Sequence, residues 1–267
     1  MTNPVLQIET LGHLRLLRLN RPERKNALSG KLCWSLVAAV EDAVADEEVR
    51  VVAITGNGDA FCSGADLSGS PGSGPGEEAS QNEIVDDLGA IGRLPLVMRL
   101  VCDKPIVAGV NGIAIGAGLS LAMCADMRLA SSAARFHPGY IRAGTSPDGG
   151  LSWTLPQALG HERAMRFLLE QRMVPAAEAQ QLGLVGEVVD ASGFEERLVE
   201  YGSELAERAP IGARQTKRLV SRVGLPTDLE GQLRDEMSYV RRGLRSQDGR
   251  EAVRAIMEKR SPGFRGR

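Results

Sequence analysis

The chain has 267 residues, 43% of them hydrophobic and 25% charged, with a net charge of −2. That is the balance of a soluble globular protein of one large domain, or one domain with an appendage, and it excludes a global basic field for nucleic acid or anionic membrane. No apolar run reaches the ~18 residues of a membrane span, and residues 1–9 lack the pattern of a secretory leader.

Taken in chain order, residues 5–9 and 14–20 predict two strands joined by the Leu11-Gly12 turn. After the polar turn at 20–26, Ser29 caps an amphipathic helix that runs to about Ala45. Residues 50–55, 105–110 and 127–130 are short apolar runs that suit buried strands, and 116–124 reads as a helix opened by glycines. Residues 68–80 are rich in Gly, Pro and Ser and read as a loop. Beyond Pro147 the pattern is mostly helical: 149–159, 162–171, 176–182, 194–208, 211–222, 229–242 and 249–259, with a short strand at 185–189. Alternating strands and helices argue an α/β fold. The expected organisation is a core over 1–190 and a helical region over 191–267.

The four cysteines (Cys33, Cys62, Cys102, Cys124) and three histidines (His13, His137, His161) are dispersed without metal-ligand spacing. No metal is expected, and such cysteines suit packing in a reducing cytoplasm. Two glycine segments carry more information. Phe61-Cys62-Ser63-Gly64-Ala65-Asp66-Leu67 follows a predicted strand and turn. Asn111-Gly112-Ile113-Ala114-Ile115-Gly116-Ala117-Gly118 follows another and opens a helix. Small residues let a backbone N–H face a ligand unobstructed, and a helix N-terminus adds free donors. Two such donors on one oxygen form an oxyanion hole. Read singly, each segment is a weak signal, and Gly-Ala-Gly at a helix start is more often a site of close packing or turn geometry. A dinucleotide reading of Gly116-x-Gly118 fails because Leu121 stands where the third glycine belongs.

Together the segments resemble the crotonase, or enoyl-CoA hydratase/isomerase, superfamily. The matching stretches are Leu19-Asn20-Arg21-Pro22 with Asn26-Ala27-Leu28, the segment at 61–67, and Lys104-Pro105-Ile106 through Asn111-Gly112. They continue with Ala122-Met123-Cys124-Ala125-Asp126, Leu182-Gly183-Leu184-Val185 and Glu258-Lys259-Arg260. They cover nearly the whole chain in order. The resemblance implies a spiral of ββα turns with a helical C-terminal region, assembled as a homotrimer or a dimer of trimers. It implies an acyl-CoA thioester substrate, with CoA arriving as part of the substrate and no separate cofactor. The N–H groups of Ala65 and Ala117 would hold the thioester oxygen, flanked by Gly64, Gly116 and Gly118. Arg24, Ala27, Ser63, Ala65 and Asp66 would follow the CoA pantetheine and adenine, and Lys259 would reach CoA phosphate.

The sequence departs from the hydratase members at the acid/base positions. Where they carry two glutamates, this chain has Ser120 and, twenty residues on, Tyr140. Asp148, in Thr145-Ser146-Pro147-Asp148-Gly149-Gly150, resembles the aspartate of crotonase-family isomerases that moves a proton between acyl carbons. Without the resemblance, Asp148 reads as a helix N-cap. Ser120 and Tyr140 are expected to line the acyl pocket, Cys62 and His137 to pack, Asp126 to support a strand start, and Glu77 and Glu78 to be solvated in the loop. The expected activity is a double-bond shift in an enoyl-CoA, in the cytoplasm. The alternatives are enoyl-CoA hydration and a non-catalytic acyl-CoA-binding role.

Overall fold

A computed structural model describes residues 4–66, 88–143, 145–221 and 246–267. In chain order the strands among them are β1 (Leu6–Leu11), β2 (Leu14–Leu19), β3 (Val51–Gly56), β4 (Ala60–Cys62), β5 (Ile106–Val110), β6 (Ile113–Ile115), β7 (Met127–Ser131), β8 (Arg135–His137), β9 (Val174–Pro175) and β10 (Glu187–Val189). The helices are α1 (Gly30–Ala45), α2 (Gly89–Leu96), α3 (Ala117–Cys124), α4 (Leu151–Leu159), α5 (His161–Glu170), α6 (Ala176–Leu182), α7 (Phe194–Ala206), α8 (Pro210–Ser221) and α9 (Gln247–Glu258). A six-stranded sheet runs β1-β2-β3-β5-β7-β10, and a four-stranded sheet runs β4-β6-β8-β9.

In the larger sheet only β1 and β2 pair antiparallel; the other neighbours are parallel. Parallel strands covered on both faces carry apolar residues throughout, and all six residues of β3 are buried. Alternate residues then divide between the two faces. Val52 and Ile54 join Leu17, Leu19 and Ile106 in a core that includes Leu32 and Leu36 of α1. Val51 and Ala53 join Leu14, Leu16 and Val107 beneath Phe194 and Leu198 of α7. Helix α1 starts as expected, with the Ser29 hydroxyl accepting from the Leu32 N–H at 3.3 Å.

The smaller sheet delivers the site. Its strands have only two or three residues, too few for alternation to announce them, and the sequence pattern predicted no element at any of them. β4 and β6 are parallel, with Ala60 beside Ile113 and Cys62 beside Ala114. β8 is parallel to β6, with Ile115 beside His137. The three strands therefore end at one level, and the segments at 63–66, 116–118 and 138–150 leave the same edge. Ligands of parallel sheets bind at such carboxyl ends. The other predicted elements agree with the observed ones within a few residues. The predicted helix over 229–242 and the loop over 68–80, with Glu77 and Glu78, lie outside the described residues.

Candidate active site

The two glycine segments meet backbone to backbone. A Cβ on Gly118 would lie 2.3 Å from the Cys62 carbonyl oxygen, and one on Gly64 would lie 2.9 Å from that of Ile115 and 3.7 Å from the Ala117 nitrogen. Gly64 also has φ +106°, which side-chain-bearing residues rarely adopt. Glycine is thus what allows the contact.

The neighbouring hydrogen bonds set the direction of the donors. Leu28 N–H donates to the Gly64 carbonyl at 2.8 Å, and Asp66 N–H donates to the Leu28 carbonyl at 3.0 Å. Because backbone groups alternate sides in an extended segment, the Ala65 N–H points away from Leu28. Ala117 is the first residue of α3, where helix N–H groups have no intrahelical acceptor. Among the described residues neither N–H has a hydrogen-bond acceptor. Below them, Arg21 clamps the loop: its guanidinium donates to Asp66 at 2.7 Å and to the Ala27 carbonyl at 2.6 Å.

A side-chain cluster stands beside the first turn of α3. Ser120 Oγ lies 2.5 Å from Tyr140 Oη, and Tyr140 Oη donates to Asp148 Oδ1 at 2.7 Å. Ser120 Oγ also lies 3.0 Å from the Asp148 carbonyl and 3.3 Å from that of Gly116. Ser120 and Tyr140 are buried, at 1% and 4% exposure, whereas Asp148 is exposed. Burial pushes the Tyr140 phenol far above its ordinary value, so it stays a protonated donor. The N-cap reading of Asp148 has no bond behind it. Residue Gly150 occupies the cap of α4, that end has no side-chain cap bond, and the carboxylate turns to Tyr140 instead.

The remaining residues singled out from the sequence are placed as follows. Arg24 and Ser63 adjoin, with Ser63 Oγ donating to the Arg24 carbonyl at 3.3 Å; Ala27 is buried beside them. Lys259 is exposed just past α9, next to a polar cavity of about 610 Å³ whose lining includes Arg250, Arg254, Arg260 and Arg265 together with Asp248 and Glu251. That cavity contains none of the glycine-segment residues. Asp126 accepts from the Ile106 N–H at 2.7 Å and from Lys217 Nζ at 2.8 Å, tying the start of β5 to α8. His137 bonds the Gln171 carbonyl at 2.8 Å. The Cys33, Cys62 and Cys124 thiols are pushed up to about 12, chiefly by burial, and so are not nucleophiles near neutral pH. Among the described residues no group of three or more His, Cys, Asp or Glu could hold a metal ion, and no helix is long and apolar enough to cross a membrane. Residues that sequence reasoning left unassigned include Arg21 and Gly149. The motif contained both, but their contacts are long-range.

This spiral of short parallel strands, with donors at the ends of β4 and β6, is the crotonase fold, and an enzyme acting on an acyl-CoA thioester is the class it defines. The chain matches the enoyl-CoA hydratase/isomerase family over residues 10–267, and it belongs to that family. A protein of Rhodobacter capsulatus named probable enoyl-CoA hydratase is 35% identical, with 100% of each chain covered. The 1,2-epoxyphenylacetyl-CoA isomerase of Escherichia coli is 34% identical, with 94% of each covered. Among solved structures, a probable enoyl-CoA hydratase/isomerase from Mycobacterium abscessus has a TM-score of 0.86 and 30% identity, covering 99% of this chain and 100% of that one.

Proposed function

We propose that this enzyme is an enoyl-CoA isomerase that uses Asp148 as its single acid/base. The observation that carries the reading is the position of the Asp148 carboxylate. It is two hydrogen bonds from Ser120, in the first turn of the helix that opens with the Ala117 N–H. Both positions where hydratases carry glutamate hold hydroxyls here; that of Tyr140 donates to the carboxylate, and that of Ser120 bonds the Tyr140 hydroxyl.

The Ala65 and Ala117 N–H groups receive the thioester oxygen. Asp148 takes a proton from C2 of a 3-enoyl-CoA. The C–H electron pair forms the C1–C2 double bond as the carbonyl pair moves onto oxygen, where the two donors stabilise it. On return the oxygen pair re-forms the carbonyl, the C1–C2 pair moves to C2–C3, and the C3–C4 pair takes the proton from Asp148 at C4. The carboxylate is regenerated and no co-reactant is consumed. Donors fixed on an oxygen that gains charge favour the transition state over the substrate, each by about 3 kcal/mol. Hydration asks for more, namely an activated water and a separate proton for the α-carbon.

CoA follows Arg24, Ala27, Ser63, Gly64 and Asp66, with Lys259 toward its phosphates and no cofactor beyond the substrate's own CoA. By its family resemblance the enzyme works as a trimer or a dimer of trimers in the cytoplasm. Conversion of a 3-enoyl-CoA to the conjugated 2-enoyl thioester, followed by absorbance, tests the reading. No conversion by the wild type, or full activity in Asp148→Asn, sinks it. Hydration is the second reading, favoured by the hydratase name of the Rhodobacter relative. Water addition to crotonyl-CoA, lost in Asp148→Asn, would establish it. Acyl-CoA binding without turnover across an acyl panel would point to a non-catalytic role.

A further inference from the structure

The hydroxyl pair beside Asp148 has a definite proton order. An ionised carboxylate can only accept, so the phenol proton of Tyr140 goes to Asp148 Oδ1. Tyr140 Oη and Ser120 Oγ are 2.5 Å apart, a distance at which one of the two must supply the hydrogen. Since Tyr140 has spent its proton on the carboxylate, Ser120 is the donor. Turning the Ser120 proton instead to the carbonyl of Gly116 or Asp148 would leave two oxygen lone pairs opposed at that distance. Both protons therefore run toward the carboxylate, from Ser120 to Tyr140 to Asp148, and one carboxylate oxygen is occupied.

Packing holds the pair in place while leaving the carboxylate accessible. Gly149, with φ +53°, lies so close that a Cβ on it would be 3.0 Å from Ser120 Cβ and 3.4 Å from Ile91 of α2. Cys124 Sγ donates to the Gly149 carbonyl at 3.3 Å. Asp148, next in the chain, is exposed and would otherwise sample several rotamers. Its described hydrogen bonds fix it by one oxygen only. Among the described residues, the groups that face this corner include Tyr140 from the β8–α4 segment, Ser120 and Cys124 from α3, Ile91 and Pro95 from α2, and Cys33 of α1.

We infer that Ser120 and Tyr140 are positioning residues that clamp Asp148 through Oδ1, leaving Oδ2 as the oxygen that carries the proton between acyl carbons. The inference rests on the reading of Asp148 as the acid/base. The clamp keeps the protonated carboxyl from rotating into water between removal at one carbon and delivery at the other. It predicts that transfer is largely internal, with little hydrogen taken from solvent.

The test is isomerisation of a 3-enoyl-CoA in D2O by wild type, Tyr140→Phe, Ser120→Ala and Asp148→Asn, scoring kcat, KM and deuterium at C4 of the product. Tyr140→Phe should lower kcat ~10–100-fold with KM within about twofold, and raise the deuterium fraction several-fold. Ser120→Ala should move both in the same direction by a smaller factor, about fivefold in kcat, since it removes one neutral bond at a distance. A structural role alone would lower activity without changing the deuterium fraction. Wild-type kcat and deuterium content in Tyr140→Phe, with Asp148→Asn inactive, overturns the clamp and leaves the isomerase reading standing. Full activity in Asp148→Asn overturns both. Should Tyr140→Phe unfold, an unchanged deuterium fraction in Ser120→Ala overturns the clamp by itself.

Discussion

The two halves of the site are built from different materials. The donor half, at 63–66 and 116–118, is backbone, and its geometry is enforced by contacts such as the 2.3 Å that separates a Cβ on Gly118 from the Cys62 carbonyl. The half proposed to move protons is side chain: Ser120, Tyr140 and Asp148 joined end to end. A backbone donor is lost only when the main chain itself is altered, as proline alters it. Side-chain acids can be exchanged on the same scaffold. One fold can thus keep enolate stabilisation constant while the reaction changes.

The sharpest way to break this division is at Asp148. Asp148→Asn should lower isomerisation by ~10²–10⁴ while leaving acyl-CoA affinity near its original value, measured by turnover and by calorimetric titration with a substrate analogue. A parallel loss of affinity would mean that the two halves are not separable. On the donor side, Ala117→Pro removes the N–H at the first position of α3, where proline disturbs a helix least. It should cost ~10²–10³ in kcat with the helical signal in circular dichroism preserved. Unchanged kcat would remove Ala117 from the oxyanion hole.

Gly118→Ala addresses the scaffold. The added methyl meets backbone rather than a mobile side chain, so the segments must separate. A destabilisation of about 1–3 kcal/mol is expected, read as a lowered midpoint in urea unfolding. An unaltered midpoint would show that the segments yield freely.

The smallest effect concerns the buried thiols. Cys33, Cys62 and Cys124 are raised from 9.0 to about 12, so the folded state holds their protons more tightly than the unfolded chain. Their contribution to stability is complete below about pH 8.5 and falls away as pH rises through about 12. Tm should be flat from pH 7 to 8 and decline above pH 9, and a chromogenic thiol reagent at pH 8 should label none of the three before unfolding. Rapid labelling of the native protein would contradict their burial.

Much of this was legible in sequence. The apolar run at β3 and the Ser29 cap led to an α/β fold, because periodicity and turn residues are local signals, and the resemblance of the ordered motifs implied the crotonase-like form of it. The same motifs singled out Ala65 and Ala117, whose N–H groups have no acceptor among the described residues, and Asp148, whose carboxylate accepts from Tyr140. The small sheet was not legible. β4, β6 and β8 have three residues each, and only their parallel pairing makes them strands. The link between Arg21 and Asp66 spans 45 residues and has no spacing that would reveal it.

The order of motifs along the chain was enough to place it in the enoyl-CoA hydratase/isomerase family, and through that resemblance to propose two backbone donors for a thioester oxygen. Which side chain serves the chemistry there was left between a helix cap and an acid/base. Tertiary structure decided where the carboxylate turns. The parallel ends of β6 and β8 bring Ser120 and Tyr140 together across twenty residues, and the Asp148 carboxylate accepts from Tyr140 instead of capping its own helix. The physical reason is that a hydrogen bond fixes direction only once both partners are placed, and those partners come from separate turns of the spiral.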